Sequence, residues 1–428
     1  MPIEIYDCTL REGEQAKASG FNSENRRKLA MLLDSLGVDH IELPWPTTTE
    51  LKDSYKEIIP LMKNAKIVAF GSTARKENPA EDRHLRALAE TGVEYACIFG
   101  KADIQHVERQ LGITGEANLD KVERSVRYLR KQGLRVFFDA EHFFDGYKRD
   151  SNYALDVLTR AAEGGAERLV LCDTNGGLMS HEALSIVEHT TQVLEERLDG
   201  SDIKGMLGVH LHNDCDNAIG NAQALLHLIT QVQGTINGLG ERVGNLNLTT
   251  FLGNYLDKLG GNLPNINLEL LTQTYRQSCF LSSIPENDTQ PYAGRYAFAH
   301  AGGIHINGIS KGASYEHTDP TKFGNQRVFV LNQLAGSSGI IEIAKQHSIP
   351  LARDKNNFEG NAKRLFEELQ VLETNGYDVG AIPAEQYLLL RKHFGNAKPP
   401  FRIKLTRINT ETDLQEDEHS RFYALCEF

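Results

Sequence analysis

The strongest constraint on the fold is a regular alternation of short apolar runs with helix-like stretches over the first two-thirds of the chain. Eight such pairs occur, and most helix-like stretches end at a glycine or a charged turn. Strict alternation of strands and helices predicts a parallel sheet. Eight units in roughly 260 residues match the size of a (β/α)₈ TIM barrel, an α/β fold. An open, doubly wound sheet is the alternative.

The layout of the chain changes after the glycine-rich turn at 260–262. We expect the barrel to occupy residues 1–262 and an extended linker arm with short helices to follow over 263–320. Helical spacing returns over 321–398 and predicts a small helical subdomain. Residues 399–428 hold one further strand, over 401–405, and a charged tail. The first helix, 23–36, is predicted to be capped by Ser23 and to end at Gly37.

Composition narrows the class of partner. The net charge of −12 argues against nucleic acid or an anionic membrane as the main partner. No apolar run approaches the roughly 20 residues of a membrane span, and the start does not have the pattern of a signal peptide. The six cysteines form no C-x-x-C pair, so we expect reduced thiols and a cytoplasmic protein.

Two histidines near the middle of the chain suggest a metal site. His210 and His212 follow an apolar strand and are two residues apart, so both rings point to the same face. Two imidazoles directed at one point suit a divalent metal ion. The alternative is a pair of hydrogen-bonded polar residues at the end of a strand.

Other strand ends supply further candidates, because the functional site of a barrel lies where its strands end. Asp7, after the first strand, offers a hard carboxylate to a metal, and Asn245 in the last loop offers an amide oxygen. Glu12 and Glu14 are candidates to hold the ligands in place. The loop of Asn245 is glycine-rich, but its spacing is not that of a dinucleotide fingerprint.

The remaining candidates carry charge or hydroxyls for a substrate. Arg11 suits an oxyanion or a carboxylate, and Glu141 is a candidate general base. Thr174 offers a hydroxyl to a substrate carboxylate. Ser72 and Arg75, after the third strand, offer a hydroxyl and a cation to an anionic ligand.

Three motifs together resemble the isopropylmalate, homocitrate and citramalate synthases of the DRE-TIM metallolyase superfamily. The stretch 7–15 (DCTLREGEQ) is similar to their first signature, 210–214 (HLHND) to the second and 240–245 (GERVGN) to the third. The resemblance covers about residues 1–395. It is closest to the citramalate synthase branch over 99–101, 139–147, 171–177, 233–238 and the arm, 297–305 with 315–317.

The resemblance implies an acyltransferase that converts an acyl group into an alkyl group. Acetyl-CoA would condense with pyruvate in a Claisen-type step, and hydrolysis of the thioester would give citramalate and CoA. This belongs to amino-acid biosynthesis, on the route to isoleucine. Carried over to this chain, the metal ligands are Asp7, His210, His212 and Asn245, around Mg²⁺, Mn²⁺, Zn²⁺ or Co²⁺.

The same resemblance assigns the chemistry. Arg11 would stabilise the developing alkoxide, and Thr174 would fix the substrate carboxylate. Glu141, with His305 and Tyr315 from the arm, would remove the proton from the acetyl methyl group. The arm in such synthases often comes from the partner subunit, so a homodimer is expected.

The chain departs from the family pattern in three places. Arg11 is followed by Glu12 rather than the aspartate usual in citramalate synthases. Cys215 and Asp216 replace a small residue and a glycine, and Asp216 is predicted to cap the next helix. The chain ends near residue 428, so we expect most of the C-terminal regulatory domain, and with it feedback inhibition by an end-product amino acid, to be absent.

Three alternatives remain open from the sequence. The first is the same chemistry on another 2-oxo acid, such as 2-oxoisovalerate or 2-oxoglutarate. The second is a lyase that cleaves a hydroxyacyl-CoA on the same barrel. The third is a binding protein that keeps the fold without the reaction.

Overall fold

The computed structural model describes residues 3–16, 20–198, 201–332, 335–351, 354–377, 382–395, 405–411 and 421–427. Eight parallel strands close into a barrel in sequence order, the last pairing with the first. The predicted (β/α)₈ TIM barrel is therefore confirmed. The barrel strands are β1 (Glu4–Asp7), β2 (His40–Leu43), β3 (Lys66–Ser72), β4 (Tyr95–Lys101), β5 (Arg135–Glu141), β6 (Arg168–Asp173), β7 (Leu207–Leu211) and β8 (Gln231–Gly234).

Alternation along the strands builds two apolar layers. One set of side chains, including Ile67, Ile98 and Phe138, packs in the large cluster shared with the helices. The intervening residues form a separate buried cluster that includes Tyr6, Val68, Cys97 and Phe137. Successive strand residues point to opposite faces, so the second cluster fills the inside of the barrel.

Helices separate the strands and cover the barrel. Those of the first 282 residues are α1 (Ser23–Leu36), α2 (Thr49–Ile58), α3 (Arg83–Ala89), α4 (Ile104–His106), α5 (Gly115–Lys131), α6 (Phe143–Arg149), α7 (Ser151–Gly164), α8 (Ser180–Arg197), α9 (Ile203–Met206), α10 (Ala218–Leu225), α11 (Leu248–Gly253) and α12 (Leu271–Ser282). Short turns of other helix types occupy Glu12–Gln15, Ile59–Leu61, Pro79–Glu81, Val107–Leu111, Ile236–Gly238, Asn254–Lys258, Leu268–Leu270 and Pro320–Phe323.

The ends of two helices correct the predicted caps. Helix α1 ends at Gly37 as predicted, with φ of 95°, but the Asn22 side chain caps its start instead of Ser23, accepting from the Asn25 amide at 2.8 Å. At the start of α10, the Ala218 amide donates to the Asn213 side chain at 3.1 Å, so Asp216 is not the cap.

The chain divides into two compact units, Met1–Phe298 with Thr318–Gln326, and Ala299–His317 with Arg327–Phe428. The second unit contains a short parallel pair, β9 (Ala299–His300) and β10 (Val328–Phe329), and an antiparallel pair, β11 (Leu405–Glu411) and β12 (Arg421–Glu427). Its helices are α13 (Gly303–Ser310), α14 (Gly336–Gln346), α15 (Lys355–Thr374) and α16 (Pro383–Phe394). The boundaries predicted at 262, 320 and 398 stay predictions.

Two further expectations concern the ends and thiols of the chain. Of the strand predicted over 401–405, only Leu405 lies within the described residues, and the tail at 413–420 lies outside them. The thiols of Cys8, Cys97, Cys172, Cys215 and Cys279 are free. None of the described helices is both long and apolar enough to span a membrane.

Candidate active site

A cavity of about 260 Å³ opens among the side chains at the carboxyl ends of the barrel strands. Its wall combines the charged residues predicted at several strand ends with two phenylalanines. The lining residues are Arg11, Glu12, Gln15, Phe70, Phe99, Asp139, Glu141, Cys172, Thr174, His210, His212, Glu241 and Arg242. The structure thus brings together five of the predicted site residues: Arg11, Glu141, Thr174, His210 and His212.

His210 and His212 share one face of β7 and its extension, with ring centroids 5.4 Å apart. Burial, followed by its neighbour His212, holds the pKa of His210 well below its usual range. Burial, followed by Arg242, lowers the pKa of His212 to about 4. Both rings are therefore neutral at neutral pH, which is the form that binds a metal ion.

The glycine-rich loop after β8 brings Asn245 beside this pair. Gly244 has φ of 97°, and a Cβ there would lie 1.8 Å from the Gly238 carbonyl oxygen, so the turn requires glycine. The loop returns the chain so that Asn245 pairs with His212 in a β-bridge. Asn245 is 1% exposed and its amide nitrogen donates to the Leu239 carbonyl, which leaves Oδ1 as the free acceptor.

Glu12, rather than Asp7, supplies the carboxylate closest to the histidines. Ligand atoms of Glu12, His210 and His212 all lie within 4.8 Å of one another, and Asp7 belongs to no such group in the described part of the chain. The Asp7 carboxylate instead accepts the Thr9 amide and hydroxyl, both at 2.9 Å. Burial raises the pKa of Asp7 to about 7.

Three buried polar atoms beside this group have no hydrogen-bond partner among the described residues. They are Glu12 Oε2, His212 Nδ1 and Asn245 Oδ1. A buried acceptor without a partner costs about 1–3 kcal/mol. A carboxylate, imidazoles and an amide oxygen together form a donor set that binds a divalent cation, so the residues present fit the metal that the sequence suggested.

Arg11 is held between two carboxylates and an aromatic ring. Its Nε donates to Glu42 at 2.5 Å, another guanidinium nitrogen pairs with Glu12, and the guanidinium lies 3.8 Å from the centre of the Phe70 ring. Burial, the largest single influence, acts to lower the pKa of Arg11, but Glu42, Cys8 and Asp139 together outweigh it and the net pKa is raised. The guanidinium is thus a permanent, fixed positive charge in the cavity wall.

Asp139 and Gln233 determine how the His210 ring is oriented. The Gln233 amide nitrogen donates to Asp139 at 3.2 Å and to the Gln231 side-chain oxygen at 3.4 Å. The Gln233 oxygen then faces His210 Nδ1 at 2.9 Å. This arrangement places the proton on Nδ1 and leaves Nε2 free to bind a metal.

Glu141 at the end of β5 and Thr174 after β6 also line the cavity. A Glu141 oxygen is 2.7 Å from the Lys101 ammonium, the neighbouring residue in the β4–β5 register. The Thr174 hydroxyl accepts the His142 amide at 2.8 Å. His142 has φ of 62°, a conformation uncommon for residues other than glycine, directly after the candidate base.

Sequence comparisons match this barrel to a known family. The model of the HMGL-like family matches residues 2–277, and that of the homocitrate synthase post-HMGL domain-like family matches residues 293–368. An (R)-citramalate synthase of Aquifex aeolicus is 38% identical over 412 residues, 95% of this chain and 76% of that protein. The chain belongs to the HMGL-like family and, within it, to the citramalate synthase family.

One further relative agrees with this assignment, and a solved structure shares the fold. An (R)-citramalate synthase of Sulfolobus acidocaldarius is 36% identical over 419 residues, 96% of this chain and 78% of that protein. The HMG-CoA lyase structure of Brucella melitensis superposes with a TM-score of 0.54 at 15% identity, covering 66% of this chain and 99% of that one. The second likeness supports the barrel fold alone.

Among the predicted site residues in the first unit of this citramalate synthase family member, Asp7, Asn245, Ser72 and Arg75 do not line the cavity. Asp7 and Asn245 are buried beside it. The Ser72 hydroxyl donates to the Thr73 carbonyl at 3.0 Å, and the exposed Arg75 lies 5.2 Å from the Trp45 ring centre. Glu14, predicted to hold a ligand, instead accepts from Arg26 at 2.9 Å.

The two predicted arm residues lie together in the second unit. The rings of His305 and Tyr315 stack with centroids 4.5 Å apart, and both side chains are exposed. The neighbouring Glu316 is anchored by His300 at 3.0 Å and by Arg327 at 2.6 Å. The carboxylate of Glu316 therefore fixes the backbone that carries Tyr315.

Proposed function

We propose that this protein condenses acetyl-CoA with pyruvate and hydrolyses the resulting thioester, releasing citramalate and CoA. The observation that carries the proposal is the unpartnered trio Glu12 Oε2, His212 Nδ1 and Asn245 Oδ1 beside Arg11 at the cavity of a citramalate synthase family member. A donor set for a cation next to a fixed guanidinium suits a substrate that carries a ketone and a carboxylate.

Glu12, His210, His212 and Asn245 would hold the metal ion. Glu12 replaces Asp7 in the set proposed from the sequence, because its carboxylate is the one grouped with the histidines. When bound, the ion supplies Lewis-acid polarisation of the ketone. The donors suit Mg²⁺, Mn²⁺, Zn²⁺ or Co²⁺.

Arg11 and Thr174 would bind the oxygens of the 2-oxo acid. The Arg11 guanidinium is positioned by Glu12, Glu42 and Phe70 before substrate arrives, so it stabilises the developing alkoxide without reorganising. The Thr174 hydroxyl, which accepts from the His142 amide, keeps its own proton to donate to the substrate carboxylate.

The wall of the cavity suits the methyl group of pyruvate. Phe70 and Phe99 stack with ring centroids 5.6 Å apart and form an apolar wall of a space of about 260 Å³. Such a wall offers an apolar contact to the methyl group of pyruvate. In a hydrophobic pocket, one extra methylene changes discrimination by only about 1–3 kcal/mol, so the acceptor panel below decides between pyruvate and longer acids.

Proton removal from the acetyl methyl would involve Glu141, His305 and Tyr315. Lys101 holds the Glu141 carboxylate at 2.7 Å, and the stacked arm pair supplies the second set of groups. We propose a homodimer, in the cytoplasm and on the route to isoleucine, in which the arm serves the partner's barrel. Mixing inactive Glu141→Gln and His305→Ala proteins tests the dimer: a shared site regains activity, and independent sites do not.

A panel of 2-oxo acids tests the function. Purified, metal-free protein is assayed for thiol release from acetyl-CoA with pyruvate, 2-oxoisovalerate and 2-oxoglutarate, each with added Mg²⁺, Mn²⁺, Zn²⁺ or Co²⁺, and products are identified by mass. We expect citramalate from pyruvate at the highest kcat/KM. Pyruvate ranking below another acid would contradict the substrate assignment.

A further inference from the structure

A second cavity, on the rim of the barrel, has the chemistry of a phosphate site. It has a volume of about 330 Å³ and lies between the loop after β3 and the first half of α5. Four cations line it, Arg75, Lys76, Lys121 and Arg124, against the carboxylates of Glu77 and Asp120. In a chain with a net charge of −12, this local excess of positive charge is unusual.

Three of the four cations are not neutralised by neighbours. Arg124 pairs with Asp120 at 3.4 Å, whereas Arg75, Lys76 and Lys121 form no ion pair within the described part of the chain. Lys121 is half-buried, and burial lowers the pKa of its ammonium group. A partly dehydrated, unpaired lysine is stabilised when an anion binds beside it.

The cavity is held together by buried hydrogen bonds. The Ala74 amide donates to the Ser125 hydroxyl of α5 at 2.9 Å, which ties the Arg75 loop to the helix that carries Lys121 and Arg124. The Arg75 amide donates to Asp82 at 2.6 Å, and Asp82 also caps α3. The backbone positions of these cations are thus fixed by the fold.

A row of aromatic rings joins this cavity to the candidate active site. Phe70 and Phe99 line the active-site cavity, and Phe99 meets Trp45 edge-on with ring centroids 6.4 Å apart. The Arg75 guanidinium then lies 5.2 Å from the centre of the Trp45 ring. An apolar surface therefore runs from the reacting centre to the cationic rim.

We propose that the rim cavity binds the phosphate groups of acetyl-CoA, with the pantetheine arm along the Phe99–Trp45 surface. The inference rests on the proposed function and identifies the part of the co-substrate that each surface meets. Arg75 and Lys121 carry the contact. Neither side chain forms an ion pair within the described residues. Arg75 comes from the loop after β3 and Lys121 from α5.

The test compares thioesters that differ only in their phosphates. KM is measured for acetyl-CoA, acetyl-3′-dephospho-CoA and acetylpantetheine. The proteins compared are the wild type, the Arg75→Ala/Lys121→Ala variant and a control, Lys131→Ala. Lys131 is an exposed lysine at the far end of α5. We expect the double variant to raise KM for acetyl-CoA about tenfold and to leave KM for acetylpantetheine unchanged. Lys131→Ala should change neither, and the KM of pyruvate should not move.

The outcomes are distinguishable. If the double variant also raises KM for acetyl-3′-dephospho-CoA, the cavity binds the diphosphate. If the rise in KM disappears with that substrate, the cavity binds the 3′-phosphate. An unchanged KM for acetyl-CoA, or an equal rise for acetylpantetheine, overturns the proposal. If no acid in the panel is condensed, the proposed function has failed, and calorimetric binding of CoA against pantetheine to the same variants still decides the rim site: equal binding of CoA by wild type and double variant rejects it.

Discussion

Glu12 and Asp7 are rival metal ligands, and two isosteric variants separate them. Glu12→Gln keeps the shape and the acceptor that Arg11 uses but removes the charge beside the histidines. Substitution of a residue that contacts a metal ligand costs about 10–100-fold in metal affinity. Loss of the charge of a ligand itself should therefore lower the metal affinity by more than about 100-fold, or about 2.7 kcal/mol. Asp7→Asn should change affinity less than about threefold, because Thr9 occupies its oxygens.

The assay is competition of metal-free protein with a chelating dye for Zn²⁺ and Mn²⁺, with thermal unfolding of the metal-free variants as a control for folding. Asp7→Asn also makes a good fold control, since burial raises the pKa of Asp7 to about 7 and the neutral side chain resembles its protonated form. If Asp7→Asn loses the metal while Glu12→Gln keeps it, the grouping of donors proposed here is wrong.

Three further predictions follow from single contacts. Gln233→Leu removes the acceptor that orients His210 and should weaken metal binding about 10–100-fold in the same dye assay. Glu316→Gln loosens the segment of Tyr315 and should lower kcat roughly tenfold or more with KM for pyruvate unchanged; an equal rise in KM would refute a positioning role. Burial, followed by Glu42, raises the pKa of Asp139 to about 7. Asp139 therefore ionises more readily in the unfolded chain, and it destabilises the folded protein increasingly as pH rises from about 4 to 7. Metal-free Asp139→Asn should gain up to about 4 kcal/mol in unfolding free energy at pH 8 and little at pH 4, measured by urea denaturation.

Hydrophobic periodicity predicted the barrel well because each strand must bury both faces. The apolar runs of β3, β4 and β5 pack Ile67, Ile98 and Phe138 outward and Val68, Cys97 and Phe137 inward. Strands that are buried on both faces therefore appear in the sequence as nearly continuous apolar runs. The cap of α1 was wrong by one residue, since Asn22 and Ser23 are both good capping residues and only the backbone decides between them.

The sequence predicted part of the lining of the candidate site, but not its detailed contacts. Rings two apart on a strand must share a face, so His210 and His212 could be paired from spacing alone. No such rule governs a loop. Glu12 enters the group only because the short helix Glu12–Gln15 turns it toward the histidines, while the nearby Thr9 takes up the oxygens of Asp7. Contacts between side chains far apart in sequence, such as Gln233 with Asp139, carry no local signal.

The balance between buried carboxyl groups and cations at the cavity links the contacts of Glu12, Arg11 and Asp139. Glu12 and Glu42 both pair with the Arg11 guanidinium, so two buried carboxylates there share a single cation. Within the described part of the chain neither Asp7 nor Asp139 forms an ion pair, and burial raises the pKa of each to about 7. Partial protonation therefore limits the negative charge that is buried at the barrel mouth. A divalent cation bound beside Glu12 would lower the pKa of the nearby buried carboxyl groups and favour their ionised form.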